Sequence, residues 1–350
     1  MNAGTTARRS AMRSDRAVSR IAPTIDFGAG GVQHGFLKLP HSTHDSAYGW
    51  IPIPITVAAN GVGPTLLLLA GVHGDEYEGQ IAAMKILRSI DATEIQGRII
   101  ILPAANLPAV MAGRRVSPID DGNLNRAFPG EANGTPTQII AHYIESAILP
   151  MCDHIIDLHS GGSSLDYVPH AHARRHADPD ICARTVAAIA AFGAPYGGLV
   201  KPLQGEPRTM SAAAERNNIV YINVELGGGG TVSRELVGLA EAGIRRVLAH
   251  LGVLPSTIRD NRASETRYFQ IGGAENYLYC MENGVFEPLV GLRDHVEAGQ
   301  RAGAIHFPDT PWRKEVVMTF ARDGFVLCRR FPGWARRGDC LYQLANFEAS

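Results

Sequence analysis

The sequence has few cysteines, no long apolar run and no excess of charge of either sign. Its five cysteines are scattered and form no CxxC pair. This pattern argues against a zinc ribbon, a thioredoxin-like redox site or a disulfide scaffold, and it favours the reducing cytoplasm. No apolar run reaches the roughly 18 residues of a membrane helix. With 33 Lys and Arg against 34 Asp and Glu, we expect neither a nucleic acid nor a membrane partner.

Two common motifs of catalysis and cofactor binding are also absent. The segment Gly28-Ala29-Gly30-Gly31 lacks the GxGxxG spacing and the strand-helix context of a dinucleotide site. No GxSxG motif occurs, which argues against a serine hydrolase with a nucleophile elbow. What remains is a chain of 350 residues, 45% hydrophobic and 19% charged, which is typical of one large globular domain with a smaller one.

Buried strands and amphipathic helices alternate in the first 255 residues. Apolar runs typical of parallel strands occupy residues 65–71, 98–105, 152–158 and 219–226. Helical patterns occupy residues 76–90, the segment after the N-cap candidate Thr135 and Pro136, 177–192 and 233–251. This alternation predicts an α/β domain over residues 21–255, with helices on both faces of a mixed, mostly parallel sheet.

The remaining segments have different patterns. Residues 1–20 are predicted to be a disordered tail. In residues 50–58 an apolar face, from Ile51 to Val57, alternates with Pro52 and Pro54, which predicts an edge strand. Residues 266–346 contain short segments broken by glycine and proline, which predicts a small antiparallel β domain.

Polar side chains stand at the carboxyl ends of the predicted strands, where open α/β sheets bind ligands. They are His73 and Glu76, Asn106, His159 and Glu225. Two imidazoles and one carboxylate are the usual ligand set of a hydrolytic zinc site, with Glu225 placed as general base. Taken singly, each residue has a plain alternative: His159 as a core histidine, and Glu225 as a charge at a helix N-terminus.

Two further groups of polar residues have both a functional and a structural interpretation. The connection 106–134 has no regular pattern and carries polar side chains suited to a carboxylate ligand, although a solvated loop explains them equally simply. These side chains are Arg114, Arg115, Asn123, Asn125 and Arg126. The basic cluster of His170, His172 and His176 with Arg174 and Arg175 is interpreted as a solvated loop.

Four motifs together resemble the succinylglutamate desuccinylase/aspartoacylase family of the zinc carboxypeptidase superfamily. They are Val72-His73-Gly74-Asp75-Glu76, Asn123-Leu124-Asn125-Arg126, Asp157-Leu158-His159-Ser160-Gly161-Gly162 and Val224-Glu225. The resemblance covers about residues 25–345 and implies a zinc carboxypeptidase-like fold followed by the small β domain. One position departs from the pattern, because the family often has Asp where this chain has Asn123.

The resemblance also implies roles for individual residues. One zinc ion per chain would be held by His73, Glu76 and His159, and Glu225 would act as base and proton shuttle. Asn125 and Arg126 match the pair that grips the substrate carboxylate. The upstream arginine that helps to bind the oxyanion matches Arg115 or Arg114, and we expect Arg115 to be catalytic and Arg114 to contact substrate.

Within the family, the likeness is greatest to the branch that deacetylates Nα-acetyl-L-2,4-diaminobutyrate in ectoine catabolism. A cytoplasmic hydrolase of an N-acyl amino acid is therefore expected, and a homodimer is plausible. A cationic substrate side chain would require a carboxylate, for which Asp121, Asp166 and Glu206 are candidates. The alternatives are a deacylase of the N-acetylaspartate or N-succinylglutamate type, and a non-catalytic metal-dependent binding module.

Overall fold

The structure is a computed structural model that describes residues 18–200, 206–255 and 265–347. Within these ranges, helices α1 to α6 are Tyr77–Ser89, Leu107–Ala112, Pro136–Tyr143, Pro179–Phe192, Met210–Arg216 and Arg234–His250. Strands β1 to β10 are Ala22–Pro23, Gly31–Pro40, Trp50–Asn60, Thr65–Leu69, Gly97–Leu102, His154–His159, Leu165–Tyr167, His170–Arg174, Tyr196–Val200 and Val220–Glu225. Strands β11 to β19 are Arg267–Gln270, Tyr277–Tyr279, Gly284–Pro288, His295–Val296, Arg301–His306, Val316–Thr319, Gly324–Arg330, Trp334–Ala335 and Cys340–Phe347. Short 3₁₀ or π turns occupy Ala92–Glu94, Leu124–Arg126, Ile144–Ile148, Leu149–Met151 and Ala274–Asn276.

Most strands belong to one 15-stranded mixed sheet. Its order is β1-β2-β3-β5-β4-β6-β10-β8-β9-β11-β19-β17-β14, with β7 beside β17 and β12 beside β19. The strands β5, β4, β6 and β10 are mutually parallel, so their carboxyl ends meet at one edge. A separate four-stranded antiparallel sheet has the order β16-β15-β13-β18. The predicted α/β fold class, with its additional small antiparallel sheet, is confirmed.

Local sequence signals account for the helix boundaries. Ser233 begins α6 because its hydroxyl accepts a hydrogen bond from the backbone N–H of Leu236. At the start of α3, the Gln138 side chain accepts from the backbone N–H of Thr135, and Pro136 takes the first helical position. The predicted helices therefore lie where the sequence places them, to within a few residues at each end.

Helices cover both faces of the sheet, as predicted. The side chain of Leu158 projects to the face of the sheet opposite to those of its neighbours on β6. On that face it packs against Gly79 of α1, where an added Cβ would collide with the Leu158 side chain. Helices α1 and α4 also pack against α6. On the opposite face, Thr209 and Ser211 at the start of α5 line a cavity above the sheet. The candidate site therefore lies on one face of the sheet, and α1 packs against the other face.

The proline-containing strand is not an edge strand, and this prediction was wrong. Strand β3 lies between β2 and β5, with its buried face, from Ile51 to Val57, as expected. Pairing with β5 is confined to residues 56–60, whereas pairing with β2 covers residues 50–59. Pro52 and Pro54 lie in the half that has β2 as its sole described neighbour, where a missing N–H is tolerated.

The main sheet continues into the C-terminal part of the chain. Strand β11 pairs in parallel with β9, and β19 pairs with β11. The division into domains at 21–255 and 266–346 stays a prediction, and the linker 256–264 and residues 1–17 of the predicted tail lie outside the described residues. Among the described helices, none combines the length and apolar character of a membrane span.

Candidate metal centre and active site

The turn between β4 and α1 presents His73 and Glu76 because two glycines keep it tight. Gly71 has a φ of 66°, a left-handed conformation that favours glycine. A Cβ atom at Gly74 would collide with the backbone carbonyl of Ala109. The backbone N–H of Gly74 donates to the carbonyl of Arg114 at 2.9 Å. Larger residues at these positions would push the turn away from the sheet edge.

The structure brings His73, Glu76 and His159 together. The Nδ1 atom of His73 lies 2.7 Å from Glu76 Oε1, and the Nδ1 atom of His159 lies 2.8 Å from Glu76 Oε2. All three side chains are buried, and their ligand atoms lie within 4.8 Å of one another. This group can hold a metal ion.

The outer nitrogen of each imidazole faces an oxygen atom. His73 Nε2 donates to Asn123 Oδ1 at 3.2 Å, and His159 Nε2 lies 3.1 Å from Asp157 Oδ2. The bond to Asn123 favours the His73 tautomer that leaves Nδ1 as a ligand atom. The Asp157 carboxylate contacts the His159 ring without a well-formed hydrogen bond. The donor set therefore fits a divalent cation. Asn123 supports His73 with a neutral amide, where a family member with Asp would add a negative charge.

The charges of the group reinforce one another. Burial alone would raise the pKa of Glu76, but His73 and His159 lower it below its ordinary value. Burial lowers the pKa of His73, so its ring favours the neutral form that binds metal. Although burial opposes it, the carboxylates of Asp157 and Glu76 raise the pKa of His159 above its ordinary value. Glu76 is thus held as a carboxylate between the two rings.

Glu225 stands beside His159 on the neighbouring strand. The two residues are directly paired in the parallel register of β6 and β10, so their side chains share one face. Asn223 Nδ2 donates to Glu225 Oε1 at 3.0 Å, while Oε2 has no hydrogen-bond partner among the described residues. Burial raises the pKa of Glu225 to about 7. One carboxylate oxygen is anchored and the other is free to accept a proton.

These residues line a cavity of about 400 Å³ together with Arg115, Asn125 and Arg126. Arg115 Nη1 lies 3.1 Å from Glu76 Oε1. Asn125 Oδ1 accepts from the backbone N–H of Met210 at 2.8 Å, which fixes the start of α5 against the cavity. Arg114 is exposed and does not line the cavity. Arg115, and not Arg114, is therefore the arginine that lies beside the candidate metal ligands.

Two segments interpreted as loops are more ordered than their sequence patterns indicated. The connection 106–134 contains α2 and the 3₁₀ turn Leu124–Arg126, whose short length escaped the pattern analysis. The basic cluster is not a solvated loop, because its first part is the sheet strand β8. There His170, His172 and Arg174 line the cavity, alternating along the strand with the small residues Ala171 and Ala173. That period of two was the signal available in the sequence.

The three carboxylates considered for a cationic substrate side chain do not line the cavity. Asp121 is exposed. Asp166 pairs with Arg329 in the register of β7 and β17. Glu206 is held by Arg208 at 2.8 Å. The structure therefore gives none of these three carboxylates a place in the cavity wall.

Sequence reasoning also missed one side of the cavity. Tyr167, Tyr277 and Gln343 line it, but they come from β7, β12 and β19, which are far apart along the chain. None of these residues stands in a motif or at the end of a predicted strand. No signal in the sequence could have assembled them.

Comparisons with known proteins agree with the geometry. The family model described as the succinylglutamate desuccinylase/aspartoacylase catalytic domain matches residues 62–251. The chain is 40% identical over 328 residues to an N-alpha-acetyl-L-2,4-diaminobutyric acid deacetylase of Halomonas elongata, covering 94% of this chain and 95% of that protein.

Solved structures show the same likeness. The product-bound ectoine utilization protein EutE (DoeB) from Ruegeria pomeroyi has a TM-score of 0.91 and 40% identity, covering 95% of this chain and all 100% of that one. A succinylglutamate desuccinylase from a Silicibacter species has a TM-score of 0.90 and 39% identity, with 95% and 100% coverage. The chain is therefore an enzyme that belongs to the succinylglutamate desuccinylase/aspartoacylase family of deacylases.

Proposed function

We propose that the enzyme is a zinc-dependent amidohydrolase that converts Nα-acetyl-L-2,4-diaminobutyrate to acetate and L-2,4-diaminobutyrate in ectoine degradation. One observation carries the reaction type: the His73, Glu76 and His159 donor set shares a cavity with the unpaired carboxylate oxygen of Glu225. The deacetylase from Halomonas elongata and the ectoine utilization protein support the substrate.

The metal site would take one zinc ion, with His73, Glu76 and His159 as protein ligands. Nitrogen and carboxylate ligands of this kind, with one position left open, are typical of catalytic zinc. When bound, zinc supplies a Lewis acid that polarises the acyl carbonyl and makes water more acidic. Asn123 and Asp157 orient the two imidazoles from behind.

Asn125 and Arg126 would bind the substrate α-carboxylate. Arg126 Nη1 donates to the backbone carbonyl of Asn125 at 2.7 Å, and its Nε lies 4.0 Å from Glu206 Oε2. The Arg126 side chain is 44% exposed, so its guanidinium retains donors for an incoming carboxylate. Arg115, beside Glu76, would stabilise negative charge that develops on the acyl oxygen.

Glu225 would move the proton. Its free oxygen accepts a proton from the attacking water, which forms the new C–O bond at the acyl carbon. The same carboxyl then donates that proton to the departing nitrogen as the C–N bond breaks. A pKa of about 7, raised by burial, suits a group that must both accept and donate near neutral pH.

Acetate release from Nα-acetyl-L-2,4-diaminobutyrate tests this proposal, with N-acetylaspartate and N-succinylglutamate assayed by free-amine release. Each assay is run before chelation, after chelation and after zinc is restored. We expect turnover of the first compound that is lost on chelation and recovered with zinc. Chelator-sensitive turnover of a control alone would keep the mechanism and overturn the substrate. Zinc binding without turnover of any compound would favour a binding module.

Compartment and assembly are further parts of the proposal. None of the five cysteines forms a disulfide, which supports a cytoplasmic enzyme. A homodimer stays a prediction, and light scattering on the purified enzyme checks it.

A further inference from the structure

One wall of the cavity is a row of side chains that crosses four neighbouring strands. Tyr167 of β7 pairs with Cys328 of β17, Cys328 pairs with Gln343 of β19, and Gln343 pairs with Tyr277 of β12. Directly paired residues project to the same face of a sheet. We call these four residues the cross-sheet row; its two tyrosines and Gln343 line the cavity.

His170 extends the cross-sheet row toward the metal centre. Its ring lies 5.6 Å from that of Tyr167, between centroids, and it also lines the cavity. Only 1% of His170 is exposed. In the register of β8 and β10 it pairs directly with Glu225, so it adjoins the general base. The row and the catalytic groups therefore face one shared space.

This wall carries no net charge at neutral pH. Burial raises the pKa of Tyr277 to about 12 and that of Tyr167 well above 10, so both remain phenols. Burial lowers the pKa of His170 to about 4, so its ring is neutral. Gln343 is uncharged by nature.

The hydrogen bonds of the wall leave acceptors free. His170 Nδ1 donates to the carbonyl of Val168 at 2.7 Å, so in the neutral ring Nε2 carries a lone pair. Gln343 Nε2 donates to the Tyr277 hydroxyl at 2.7 Å. The amide oxygen of Gln343 takes no part in this bond and can accept another. Free acceptors beside two neutral tyrosine side chains are suited to a cation.

The contacts that the cavity arginines already make also favour a cationic substrate side chain over an acidic one. Arg115 is paired with Glu76. Arg174 Nη2 donates to the carbonyl of Glu206 at 2.6 Å and to Thr209 Oγ1 at 2.9 Å. Of the arginines lining the described cavity, Arg126 is the one left to bind a substrate carboxylate, and it matches a single carboxylate. A second substrate carboxylate would meet the uncharged wall.

We propose that the cross-sheet row and His170 form a subsite for a primary ammonium group at the end of the substrate side chain. The proposal rests on the proposed function, in which Arg126 takes the α-carboxylate and the acyl group faces the metal centre. Specificity for a cationic amino acid then comes from neutral acceptors and aromatic side chains, without a carboxylate in the cross-sheet row.

Calorimetry of the zinc-loaded enzyme with two amino acids, the product and an analogue of it, tests the subsite without relying on turnover. L-2,4-diaminobutyrate carries the ammonium group, and L-norvaline carries a methyl group in its place. We expect the wild type to bind diaminobutyrate at least about tenfold more tightly, since hydrogen bonds to charged groups contribute strongly. The ratio of the two Kd values is the readout, because general damage to the site cancels in it.

Three variants then locate the preference. Gln343→Met keeps the side-chain length, removes the amide and should reduce the ratio about tenfold. Gln343→Glu adds a negative charge and should increase the ratio. Tyr277→Phe removes one hydroxyl and should reduce the ratio less, about threefold. Its matched control is Tyr279→Phe, the same change two residues along β12 on a ring that does not line the cavity.

The outcomes separate the subsite from the proposed function. Equal binding of both ligands by the wild type, equal loss of both in Gln343→Met, or an altered ratio in Tyr279→Phe would overturn the subsite. Ammonium preference that responds to Gln343, without acetate release from Nα-acetyl-L-2,4-diaminobutyrate, would support the subsite and overturn the proposed function. Acetate release, together with a ratio of Kd values that no variant changes, would support the proposed function and overturn the subsite.

Discussion

The two ends of the cavity are built on opposite principles. At the metal centre, His73, Glu76 and His159 are ionisable, buried and in direct contact through Glu76. At the cross-sheet row, the side chains are uncharged and belong to strands that are distant along the chain. The same cavity thus joins a charged cluster fixed by its own ion pairs to a neutral wall fixed by strand register.

The difference teaches where each task of the enzyme resides. Charge developing in a reaction is stabilised by fixed charges and dipoles, which the metal centre provides. Choosing one side chain over another requires a surface whose unpaired groups match that side chain alone. Changes at the metal centre should therefore affect all substrates alike, whereas changes at the row should affect substrates according to their side chains.

The largest effect is expected from Glu76→Gln. This change removes the carboxylate to which both imidazoles point, so zinc should be lost and turnover of every substrate should fall to background. Glu78→Gln is the matched control, because Glu78 lies two residues further on in the first turn of α1, is equally buried, and its carboxylate accepts from the backbone N–H of Ser233. Elemental analysis and acetate release check both variants. Full zinc content in Glu76→Gln would contradict the proposed ligand set.

Glu225→Gln should separate chemistry from binding. The amide cannot accept the proton from water, so kcat should fall by about 10²–10⁴-fold. Zinc content and the binding ratio of diaminobutyrate to norvaline should stay the same, since neither depends on proton transfer. Steady-state kinetics and calorimetry on one preparation test this. Retention of wild-type kcat would show that another group is the base.

Asp157→Asn should have a moderate effect confined to the metal end. Asp157 Oδ2 lies 3.1 Å from His159 Nε2 and accepts from the Tyr221 hydroxyl at 2.9 Å. Loss of such an outer carboxylate typically costs 10–100-fold in metal affinity. Competition with a zinc chelator measures the change, and excess zinc should restore most of the activity. Asp166→Asn, outside the cavity lining, should leave the affinity unchanged.

The smallest effect concerns the stability of the zinc-free protein. Folding raises the pKa of Glu225 from 4.5 to about 7 because burial disfavours its charge. The folded state therefore holds this proton more tightly than the unfolded state, and its stabilising contribution is present below pH 4.5. That contribution is lost as the pH rises toward 7.

Urea unfolding at pH 4.5 and pH 8 measures this contribution. In the zinc-free protein, the wild type should lose about 2 kcal/mol of unfolding free energy relative to Glu225→Gln over this range, since solvent in the open cavity screens part of the full effect. Glu225→Gln should remove that part of the pH dependence. An identical pH dependence in both proteins would contradict the raised pKa.

The sequence predicted the parts of the fold that depend on local pattern. The buried strands β4, β5, β6 and β10 follow apolar runs, and the starts of α3 and α6 follow capping residues. The edge assignment of β3 failed because two prolines indicate only a missing N–H. An interior strand also tolerates that loss in a half that pairs on one side alone. A local sequence pattern predicts that a strand forms and which N–H groups it lacks, but not which strands lie on either side of it.

The candidate site divides in the same way. His73, Glu76, His159 and Glu225 stand at strand ends, and parallel strands bring their carboxyl ends to one edge. Their meeting could therefore be expected from the sequence. The choice of Arg115 over Arg114 needed the structure, since adjacent residues project in different directions.

By itself, the sequence predicted the α/β class, the central strands and the grouping of His73, Glu76 and His159, because each follows from periodicity or from position at a strand end. The tertiary structure alone decided the cross-sheet row. Tyr167, Tyr277 and Gln343 become neighbours only through the register of antiparallel strands far apart along the chain. A shift of one residue in that register would turn each side chain to the opposite face, and no local pattern encodes it.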